Sequence, residues 1–422
     1  MKITAIIIFV LTYVLLLALP RYRAHLALSS AALFVLLGIM PVNKVFSAVD
    51  WNVIMMIAGT MGIVSLFIES MMPARLADLI IRKTPNVKWA IIALSLFAGI
   101  ISAFIDNVAT VLMVAPVALT ISKKLKVSPV PSIIAIAVSS NLQGAATLVG
   151  DTTAIMLGGH ANLDFLDFFV LDGKPGMFWV VQAGAVVATL VLLWVFRKYS
   201  QPINSNDKTE VKDYFPTVLI VSMVVLLIFA SFIPNKPAVT NGLICLGLLA
   251  IGLIRKYIKD RSLQGVAQVF GDIDFFTIGL LAGLFIVVGG ITEVGIITDV
   301  SQFFVKVSKN NVFAIYSIIL WASVLLSAFI DNIPYVATML PVVAGIASIL
   351  AIDPRVLYFG LLAGATLGGN LTPIGASANI AALGILRRDG HEVSIGEFMK
   401  ISVPFTLAAV TMGYVLVWLI WG

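Results

Sequence analysis

The stretch SAFIDNVATVLMVAP begins at Ser102, and SAFIDNIPYVATMLP begins at Ser327. Eight of the fifteen positions are identical, including all of SAFIDN, and Asp106 and Asp331 are 225 positions apart. Each copy places an Asp-Asn pair in the middle of an apolar segment. The chain is therefore built on an internal duplication, and its most polar shared feature lies where apolar residues dominate.

The composition indicates a membrane protein. Of 422 residues, 60% are hydrophobic and 11% are charged, with a mean hydropathy of +1.07, whereas soluble domains have roughly 25% charged residues. Apolar runs recur along the whole chain, each long enough to cross a hydrocarbon core about 30 Å thick. We predict an all-α polytopic membrane protein.

Several other classes are disfavoured by the polar residues. The net charge of +6 comes from Lys and Arg in short clusters between apolar runs, which set membrane topology rather than bind nucleic acid. The single cysteine, Cys245, excludes an intrachain disulfide and a Cys-pair metal site. The three histidines are far apart, so no cofactor or His-ligated metal is predicted.

Two segments, about 89–122 and 311–350, are too long for one straight span and carry charges at both outer ends. We predict that each is a re-entrant helical hairpin, because irregular backbone at its tip is tolerated inside protein or a watery cavity. Two spans, about 131–158 and 356–386, are predicted to be discontinuous. The remaining spans are predicted at about 3–20, 25–42, 51–71, 177–196, 215–233, 238–254, 275–292 and 401–421.

Each half then contains five transmembrane helices and one hairpin, with one discontinuous helix per repeat. The first repeat covers 1–200, a cytoplasmic linker covers 201–214, and the second repeat covers 215–422. An offset of 224 also aligns Asp50 with Asp274 and Glu69 with Glu293. Because five is odd, the second repeat is inverted relative to the first, as in many secondary transporters.

Basic residues predict the orientation. One face collects nearly twice as many Lys and Arg as the other, among them Arg21, Arg23, Lys126, Arg255 and Lys256. The positive-inside rule makes this basic face cytoplasmic and places both termini outside. We expect an integral protein of the plasma (inner) membrane, surrounded by the lipid bilayer.

The hairpin tips offer ligands for both signs of charge. Asn107 or Asn332 can cap the returning half-helix, whose N–H groups attract an anion. The incoming half-helix ends at Ile105 or Ile330 with free carbonyls, which together with Asp oxygens attract Na⁺ or H⁺, the two candidate coupling ions. The candidate Na⁺ ligands are Asp106, Asn107, Asp331 and Asn332.

The discontinuous spans supply small polar groups beside the tips. Gly, Asn, Thr and Pro interrupt the segments SSNLQGAATLVGDTT (139–153) and LGGNLTPIGAS (367–377). Hydroxyls and amides of this kind suit a dehydrated ion or a small oxyanion. Together with the tips, the predicted binding residues are Thr110, Asn141, Thr147, Gly150, Asp151, Thr152, Thr153, Asn370, Thr372, Gly375, Ser377 and Asn379.

Three intramembrane aspartates, Asp106, Asp151 and Asp331, need an explanation. An Asp at the centre of a helix costs about 2.5–3.5 kcal/mol on insertion scales. No Lys or Arg is expected at that depth, so these side chains bind cations or protons, or face water. An intramembrane aspartyl protease is disfavoured because both tip aspartates are embedded in FIDN. A passive channel stays open as an alternative, which a test of uphill transport would distinguish.

At these residues the chain resembles the ion-transporter superfamily, and within it the group of arsenite permeases, NhaD-type antiporters and P-protein-like transporters. The resemblance rests on AFIDNVATVLMVAP, AFIDNIPYVATMLP, SSNLQGAATLVGDTTAI and GGNLTPIGASANI. It implies a homodimer formed through a scaffold, with an elevator-like movement of the hairpins and broken helices. Related dicarboxylate carriers have a Ser-Asn-Thr triplet at each tip. Here only Asn107 and Asn332 match it, which favours cation handling.

With one thiol, a three-thiolate arsenic site is excluded, while neutral arsenous acid stays open as a substrate. We predict a proton- or sodium-coupled permease for a small inorganic or carboxylate anion (arsenite or citrate type), and no enzyme. A Na⁺/H⁺ antiporter of the NhaD type is the close alternative, and a passive ion channel the remote one. If the chain is an arsenical pump, an ATPase subunit is a candidate partner.

Overall fold

The computed structural model describes residues 1–125, 127–203 and 209–422. In these ranges nearly all regular structure is helical, and the strands β1 (Val170–Leu171) and β2 (Lys174–Pro175) form one short antiparallel pair. The prediction of an all-α membrane protein with two inverted repeats, each with a hairpin and a discontinuous helix, is confirmed.

The first half of the chain begins with α1 and ends with α10. Its helices are α1 (Lys2–Ala18), α2 (Arg23–Leu36), α3 (Val42–Ala48), α4 (Trp51–Glu69), α5 (Met72–Ile81), α6 (Val87–Ser102), α7 (Asn107–Lys124), α8 (Val130–Gln143), α9 (Thr152–Ala161) and α10 (Met177–Val195).

The helices of the second half repeat this order, so that α11 corresponds to α1 and α20 to α10. They are α11 (Phe215–Ser231), α12 (Thr240–Asp260), α13 (Leu263–Asp272), α14 (Phe275–Glu293), α15 (Ile296–Val307), α16 (Val312–Ser327), α17 (Asn332–Leu350), α18 (Arg355–Gly368), α19 (Ser377–Arg388) and α20 (Ile395–Trp421). Single 3₁₀ turns cover Pro20–Tyr22, Leu166–Phe168 and Gly369–Leu371.

Six helices of the described ranges are long and apolar enough to cross a membrane alone: α4, α10, α12, α14, α17 and α20. Two bent pairs raise this number to eight, since α1 and α2 meet at 115°, and α15 and α16 at 116°. Other predicted spans are shorter. The helix α11 has 17 residues, and α8 and α18 end after 14 residues, where the polar stretches begin.

The helices α3, α5, α13 and α15 were missed by sequence analysis. Each lies at the end of a span, and α5 and α15 occupy equivalent places before the two hairpins. In α5, α13 and α15 the apolar residues follow a helical stripe instead of a continuous run. A search for uninterrupted apolar stretches passes over such segments.

The two halves exchange partners in one group of helices, which we call the crossed bundle (α1, α2, α4, α11, α12 and α14). Here α2 packs against α14, and α4 packs against α12. Both crossings depend on glycine: a Cβ on Gly59 would lie 2.5 Å from the backbone of Cys245, and one on Gly283 would lie 2.6 Å from that of Ala27. The lone thiol is therefore a packing residue of this crossing.

The second group, which we call the hairpin bundle, contains α6–α10 and α16–α20. Hairpin 1 (α6 and α7) packs against α8, and hairpin 2 (α16 and α17) packs against α18. The later part of each broken helix contacts the hairpin of the other repeat, α9 with α17 and α19 with α7. This exchange brings both hairpin tips and both helix breaks to one place in the middle of the bundle.

The predicted linker, 201–214, includes residues 204–208, which lie outside the described residues, as does Lys126 of the predicted basic face. Its described ends are attached to the first repeat. The N–H of Val87 donates to the carbonyl of Gln201 (3.0 Å), and the hydroxyl of Thr209 donates to Asp78 (2.7 Å). The repeat boundaries themselves stay predictions.

Candidate functional site

The two hairpin tips are built in the same way. Asp106 is the N-cap of α7, and its Oδ2 accepts from the N–H groups of Val108 (3.0 Å) and Ala109 (3.1 Å). Asp331 caps α17 and accepts from Ile333 N (3.1 Å). The cap is thus the aspartate, not the asparagine predicted for it, because the helix begins one residue earlier and Asn107 and Asn332 occupy its first turn.

The breaks in the two interrupted helices also match. Between α8 and α9, the Thr147 hydroxyl donates to the carbonyl of Ala103 at the end of α6. Between α18 and α19, the Thr372 hydroxyl donates to the carbonyl of Ala328 at the end of α16. Each break is therefore fastened to the tip of its own hairpin by one buried hydroxyl.

A glycine in each break lies among carbonyl oxygens. A Cβ on Gly150 would be 2.7 Å from Gly144 O and 3.1 Å from Ser102 O, and one on Gly375 would be 2.6 Å from Gly369 O and 2.8 Å from Ala328 O. Only a residue without a side chain permits this approach. The breaks thus bring several carbonyl oxygens together at the end of each incoming half-helix.

An asparagine cluster joins the two repeats behind the tips. The side-chain amide of Asn141 donates to Asn370 Oδ1 (2.8 Å) and Asn379 Oδ1 (3.0 Å). Asn370 donates in turn to Val138 O (2.9 Å), and Asn379 donates to backbone carbonyls of the second break. All three are almost fully buried, and Asn141 Oδ1 has no partner among the described residues. These contacts hold the repeats in register.

The tips border a cavity of about 540 Å³ between the crossed bundle and the hairpin bundle. From the hairpin bundle it is lined by Asp106, Asn107, Val108, Ala109, Leu112, Asp151, Thr152, Asn332, Ile333, Ala376 and Ser377. From the crossed bundle and α13 it is lined by Met61, Val64, Ser65, Ile68, Glu69, Gln268, Asp272, Asp274 and Thr277. Glu69 and Asp274 lie at the ends of α4 and α14 that are on the predicted basic face.

Four helices begin at this cavity. Asn107, Thr152, Asn332 and Ser377 are the first residues of α7, α9, α17 and α19, and all four line it. Aspartate side chains cap three of these N-termini, whereas α19 has Ala376 at its N-cap and no side-chain cap. Ala376 corresponds to Asp151 at the offset of 225. The first N–H groups of α19 therefore have no side-chain acceptor and are left for another one.

The cavity is rich in carboxylates. Asp151 accepts from Thr152 N (2.8 Å), Thr153 Oγ1 (2.8 Å) and Asn332 Nδ2 (3.3 Å), and it lies close enough to Asp106 to feel its charge. Asp274 lines the same cavity from the crossed bundle. Within the described residues Asp106 has no salt bridge. This unneutralised charge attracts cations and repels an unaccompanied anion.

Two further wall carboxylates have partners. Glu69 forms a salt bridge with Lys256 (2.5 Å), and Asp272 accepts from the Ser65 hydroxyl (2.5 Å). Among the residues the structure describes, no group of three or more His, Cys, Asp or Glu side chains is arranged to hold a metal ion. A bound cation would therefore need carbonyl, amide or hydroxyl oxygens in addition to the carboxylates.

The expectation that no basic side chain lies near the intramembrane aspartates is wrong for Asp331. Arg23 Nη1 lies 2.8 Å from Asp331 Oδ2, and both side chains are largely shielded from solvent. Asp331 is also absent from the cavity lining. The expectation failed because Arg23 stands at the start of α2, at a span end where sequence alone indicates an interfacial charge. The two acidic tips therefore do not share one chamber in this conformation.

A second cavity, of about 1,300 Å³, lies at the other ends of the crossing helices. It is lined by Asp50, Asn52, Asn241 and Glu293 among others, and by α17 near Pro341, but by none of the four helix-start residues at the tips. Of these two cavities, only the smaller one, on the side of the predicted basic face, reaches the four helix-start residues.

The predicted binding residues divide into three sets. Asp106, Asn107, Asp151, Thr152, Asn332 and Ser377 line the smaller cavity. Thr110, Asn141, Thr147, Gly150, Thr153, Asn370, Thr372, Gly375 and Asn379 lie behind it and connect backbone segments or the two repeats. Asp331 contacts Arg23. Sequence reasoning did not include the wall residues Ser65, Gln268, Asp272 and Thr277, which offer no motif.

Comparison with known proteins agrees with this architecture. A family model described as CitMHS, citrate transporter, matches residues 13–364. An uncharacterized transporter of Mycobacterium bovis is 31% identical over 99% of this chain and 98% of its own length. The human P protein is 25% identical over 92% of this chain and 56% of its own length.

Solved structures share the fold at low identity. The YdaH transporter of Alcanivorax borkumensis aligns with a TM-score of 0.60 and 14% identity, covering 89% of this chain and 86% of that one. MtrF of Neisseria gonorrhoeae, described with a class of antimetabolite efflux pumps, aligns with a TM-score of 0.57 and 16% identity, covering 87% and 80%. The resemblance to the ion-transporter superfamily is thus confirmed, and the relatives are transporters, not enzymes.

Proposed function

Because the chain belongs to the CitMHS family of citrate transporters and is an integral membrane transporter, we propose that it is a secondary active transporter coupled to Na⁺ or H⁺. Its substrate is a small anion of the carboxylate class, with small inorganic anions such as arsenite as the second choice. The observation that carries this proposal is the meeting, in one cavity, of four helix N-termini and two aspartates, Asp106 and Asp151, that have no salt bridge among the described residues.

The anion would bind at the beginning of α19. This helix has no side-chain cap, so its first N–H groups and its positive dipole end are left for a ligand. The Ser377 hydroxyl and the amides of Asn107 and Asn332 line the same cavity and can donate hydrogen bonds. A volume of about 540 Å³ is ample for a di- or tricarboxylate.

The coupling cation would bind to the acidic side of the same cavity. Asp106 and Asp151 supply carboxylate oxygens, and the nearby breaks supply carbonyl oxygens, which are the ligands that hard cations prefer. An anion entering alone would meet these negative charges, and a cation entering alone would meet the uncapped positive end of α19. Each ligand therefore improves the site for the other, which is the electrostatic basis of coupling.

We propose that the hairpin bundle moves past the crossed bundle in an elevator-like cycle and that the basic face is cytoplasmic, with both termini outside, in the plasma membrane. The opening of the small cavity toward the basic face then corresponds to an inward-open conformation. The larger cavity on the opposite side would receive the tips in the outward-open conformation.

A Na⁺/H⁺ antiporter of the NhaD type is the second candidate, favoured by the excess of carboxylates in the cavity. A thermal-shift panel on the purified protein separates the two, because a ligand that binds only the folded state raises its apparent stability. The panel would contain Na⁺, several pH values, citrate, succinate, arsenite and sulfate. A melting temperature that rises with citrate or succinate only in the presence of Na⁺ or at low pH supports the symporter. A melting temperature that changes with Na⁺ and pH but with none of the anions supports the antiporter.

Uptake into proteoliposomes then tests for coupling. Inward movement of labelled citrate or succinate against its own gradient, driven by an imposed Na⁺ or proton gradient, is expected. Movement that only follows the anion's own gradient would identify a passive channel and would contradict the proposal.

A further inference from the structure

One ion pair connects the two bundles beside the candidate site. Arg23 belongs to the crossed bundle, where its Nε also donates to Leu16 O at the end of α1 (3.2 Å). Its Nη1 reaches Asp331 Oδ2 at the tip of hairpin 2 (2.8 Å). Arg23 is therefore fixed on one bundle by a backbone carbonyl and holds the other bundle by a carboxylate.

A second contact fastens the same hairpin to the same bundle. The Tyr13 hydroxyl on α1 donates to Pro334 O on α17 (2.7 Å) and also contacts the Thr338 hydroxyl. The first turns of α17 are thus tied to α1 and α2 by an ion pair and a hydrogen bond. Any sliding of the hairpin bundle past the crossed bundle must break both.

The internal duplication shows that this arrangement is one-sided. Ala27 on α2 and Cys245 on α12 occupy equivalent places, since they face the equivalent glycines Gly283 and Gly59. Four residues before them stand Arg23 and Asn241. Asn241 is neutral and buried, and its Oδ1 has no partner among the described residues. Of the two tip aspartates, Asp331 alone has a salt bridge to a basic side chain among the described residues.

We propose that Arg23 is a built-in counter-ion that occupies Asp331 in this conformation and is displaced by the coupling cation, Na⁺ or H⁺, when the hairpin bundle moves. The groups that face Asp331 with a charge are Arg23 from α2 and Asp151 from the stretch before α9. Without Arg23 or a cation, the two carboxylates would stand unneutralised at membrane depth, which is costly. This inference rests on the proposed function and deepens it.

The consequence for transport is a lock on the empty carrier. When the cavity holds no cation, Arg23 keeps hairpin 2 attached to the crossed bundle, because leaving would strand the Asp331 charge. The coupling cation first reaches Asp151, which is near enough to Asp331 to feel its charge. When this cation or a proton then neutralises Asp331, the attraction of Arg23 is lost and the bundle is free to move. Arg23 acts here as a positioning residue, since it sets the conformation in which the ligands of the site are reached.

A cysteine reporter measures this conformation directly. Leu112 is 46% exposed and lines the cavity, and the native Cys245 is fully buried, so Leu112→Cys supplies one reactive thiol in the otherwise native chain. A membrane-impermeant maleimide is applied to the basic face of sealed vesicles of known orientation. The medium contains N-methylglucamine, or Na⁺ at equal ionic strength, at several pH values.

In the cation-free medium, Arg23→Gln is expected to lower the rate of labelling from the basic face about tenfold, because the bundle is no longer held there. The same variant is expected to need about tenfold less Na⁺ or H⁺ at the basic face for half-maximal transport, because no guanidinium competes for Asp331. Arg23→Lys restores a positive charge and should recover most of the labelling. Arg21→Gln, at an exposed neighbouring arginine, is the matched control and should resemble the parent protein.

Arg23→Gln leaves Asp331 unpaired and can impair folding, so the double variant Arg23→Gln/Asp331→Asn is measured beside it. The double variant has no stranded charge and is expected to show the same loss of labelling. Parent-like labelling in either folded variant would overturn the inference. The labelling needs no substrate, so a protein that transports none of the tested anions refutes the proposed function and still gives an answer on Arg23.

Discussion

Hairpin 1 and hairpin 2 have the same six residues at their tips, yet their aspartates have different surroundings. Asp106 lines the cavity, faces Asp274 and has no salt bridge among the described residues, whereas Asp331 contacts Arg23 and lies outside the cavity lining. Since the two tips have the same local structure, the difference comes from the crossed bundle beside them. Two tips with the same sequence therefore stand in unequal environments in this structure.

The largest expected effect on transport follows from removing the charge of either tip aspartate. Asp106→Asn and Asp331→Asn are both expected to abolish coupled uptake, with a loss of at least about 100-fold, because the amide keeps the cap geometry and loses the charge that attracts the cation. Uptake of labelled citrate or succinate into proteoliposomes provides the measurement. Asp353→Asn is the matched control, because exposed Asp353 also accepts a backbone N–H, that of Arg355 (2.9 Å). Parent-like coupled uptake in both tip variants would contradict the assignment.

The next effect concerns the uncapped helix of the second repeat. Ala376→Asp would give α19 the cap that Asp151 gives α9, and would add a negative charge where the anion is proposed to bind. We expect anion affinity to fall about 10- to 100-fold, corresponding to about 1.4–2.8 kcal/mol. The concentration of citrate or succinate for half-maximal uptake measures this change. Ala376→Ser separates added charge from added bulk, and an equal loss in both variants would argue against an anion at α19.

The same Asp→Asn substitution is expected to change the free energy of unfolding differently at the two tips. Asp331→Asn leaves Arg23 without its partner in a shielded position and should cost about 3 kcal/mol. Asp106→Asn removes a repelled charge, keeps the cap, and should leave stability unchanged or raise it. Thermal unfolding in detergent at neutral pH compares them. Equal destabilisation by both variants would mean that the two aspartates are not in different environments.

Adding one methyl group at the glycine in each helix break tests whether the two breaks are packed equally tightly. Gly150→Ala and Gly375→Ala would place Cβ within 2.7 Å and 2.6 Å of carbonyl oxygens, so each should cost about 1–3 kcal/mol by overpacking. Gly247→Ala is the control, since its Cβ would meet nothing within 4 Å. The melting temperatures of the two break variants are compared with that of the control. A control that melts lower than both break variants would show that the carbonyl contacts are unimportant.

The smallest effect comes from an ion pair with a more exposed cation, since Arg255 is 40% exposed and Arg23 is 19% exposed. Hydrogen bonding by Arg255 lowers the pKa of Asp213, which lies just before α11, below its usual range. Since the folded-state pKa lies below the unfolded one, the stabilisation is present above about pH 4 and is lost as the pH falls through the folded-state pKa. Asp213→Asn should therefore flatten this acid dependence slightly without changing transport. Melting curves of parent and variant at falling pH provide the check.

Much of this architecture can be predicted from the sequence because a bilayer allows few solutions. Apolar runs set the spans, the repeated SAFIDN reveals the duplication, and an odd number of spans inverts the second copy. The same reasoning brings Asp106, Asn107, Asp151 and Asn332 together, since duplicated polar residues at membrane depth must share protein or water.

What could not be predicted depends on contacts between distant parts of the chain. Arg23 and Asp331 are 308 positions apart, and nothing near Arg23 in the sequence distinguishes it from Arg21. Asp272 and Gln268 reach the cavity from α13, whose amphipathic pattern lies outside any continuous apolar run. The N-cap is Asp106 and not the predicted Asn107, because α7 begins one residue earlier than expected. Local helix propensity does not define a helix boundary to within one residue.

The exchange of partners in the crossed bundle also constrains how the protein is made. When the ribosome has completed the first two hundred residues, α2 and α4 are already in the membrane, but the helices that close around Gly59 and meet Ala27 have not yet been translated. The nascent first half must therefore keep two glycine- and alanine-lined grooves facing lipid or a membrane chaperone until α12 and α14 arrive. The crossed bundle can therefore close only after α14, which ends at Glu293, has been translated, and a first half made alone would lack these partners.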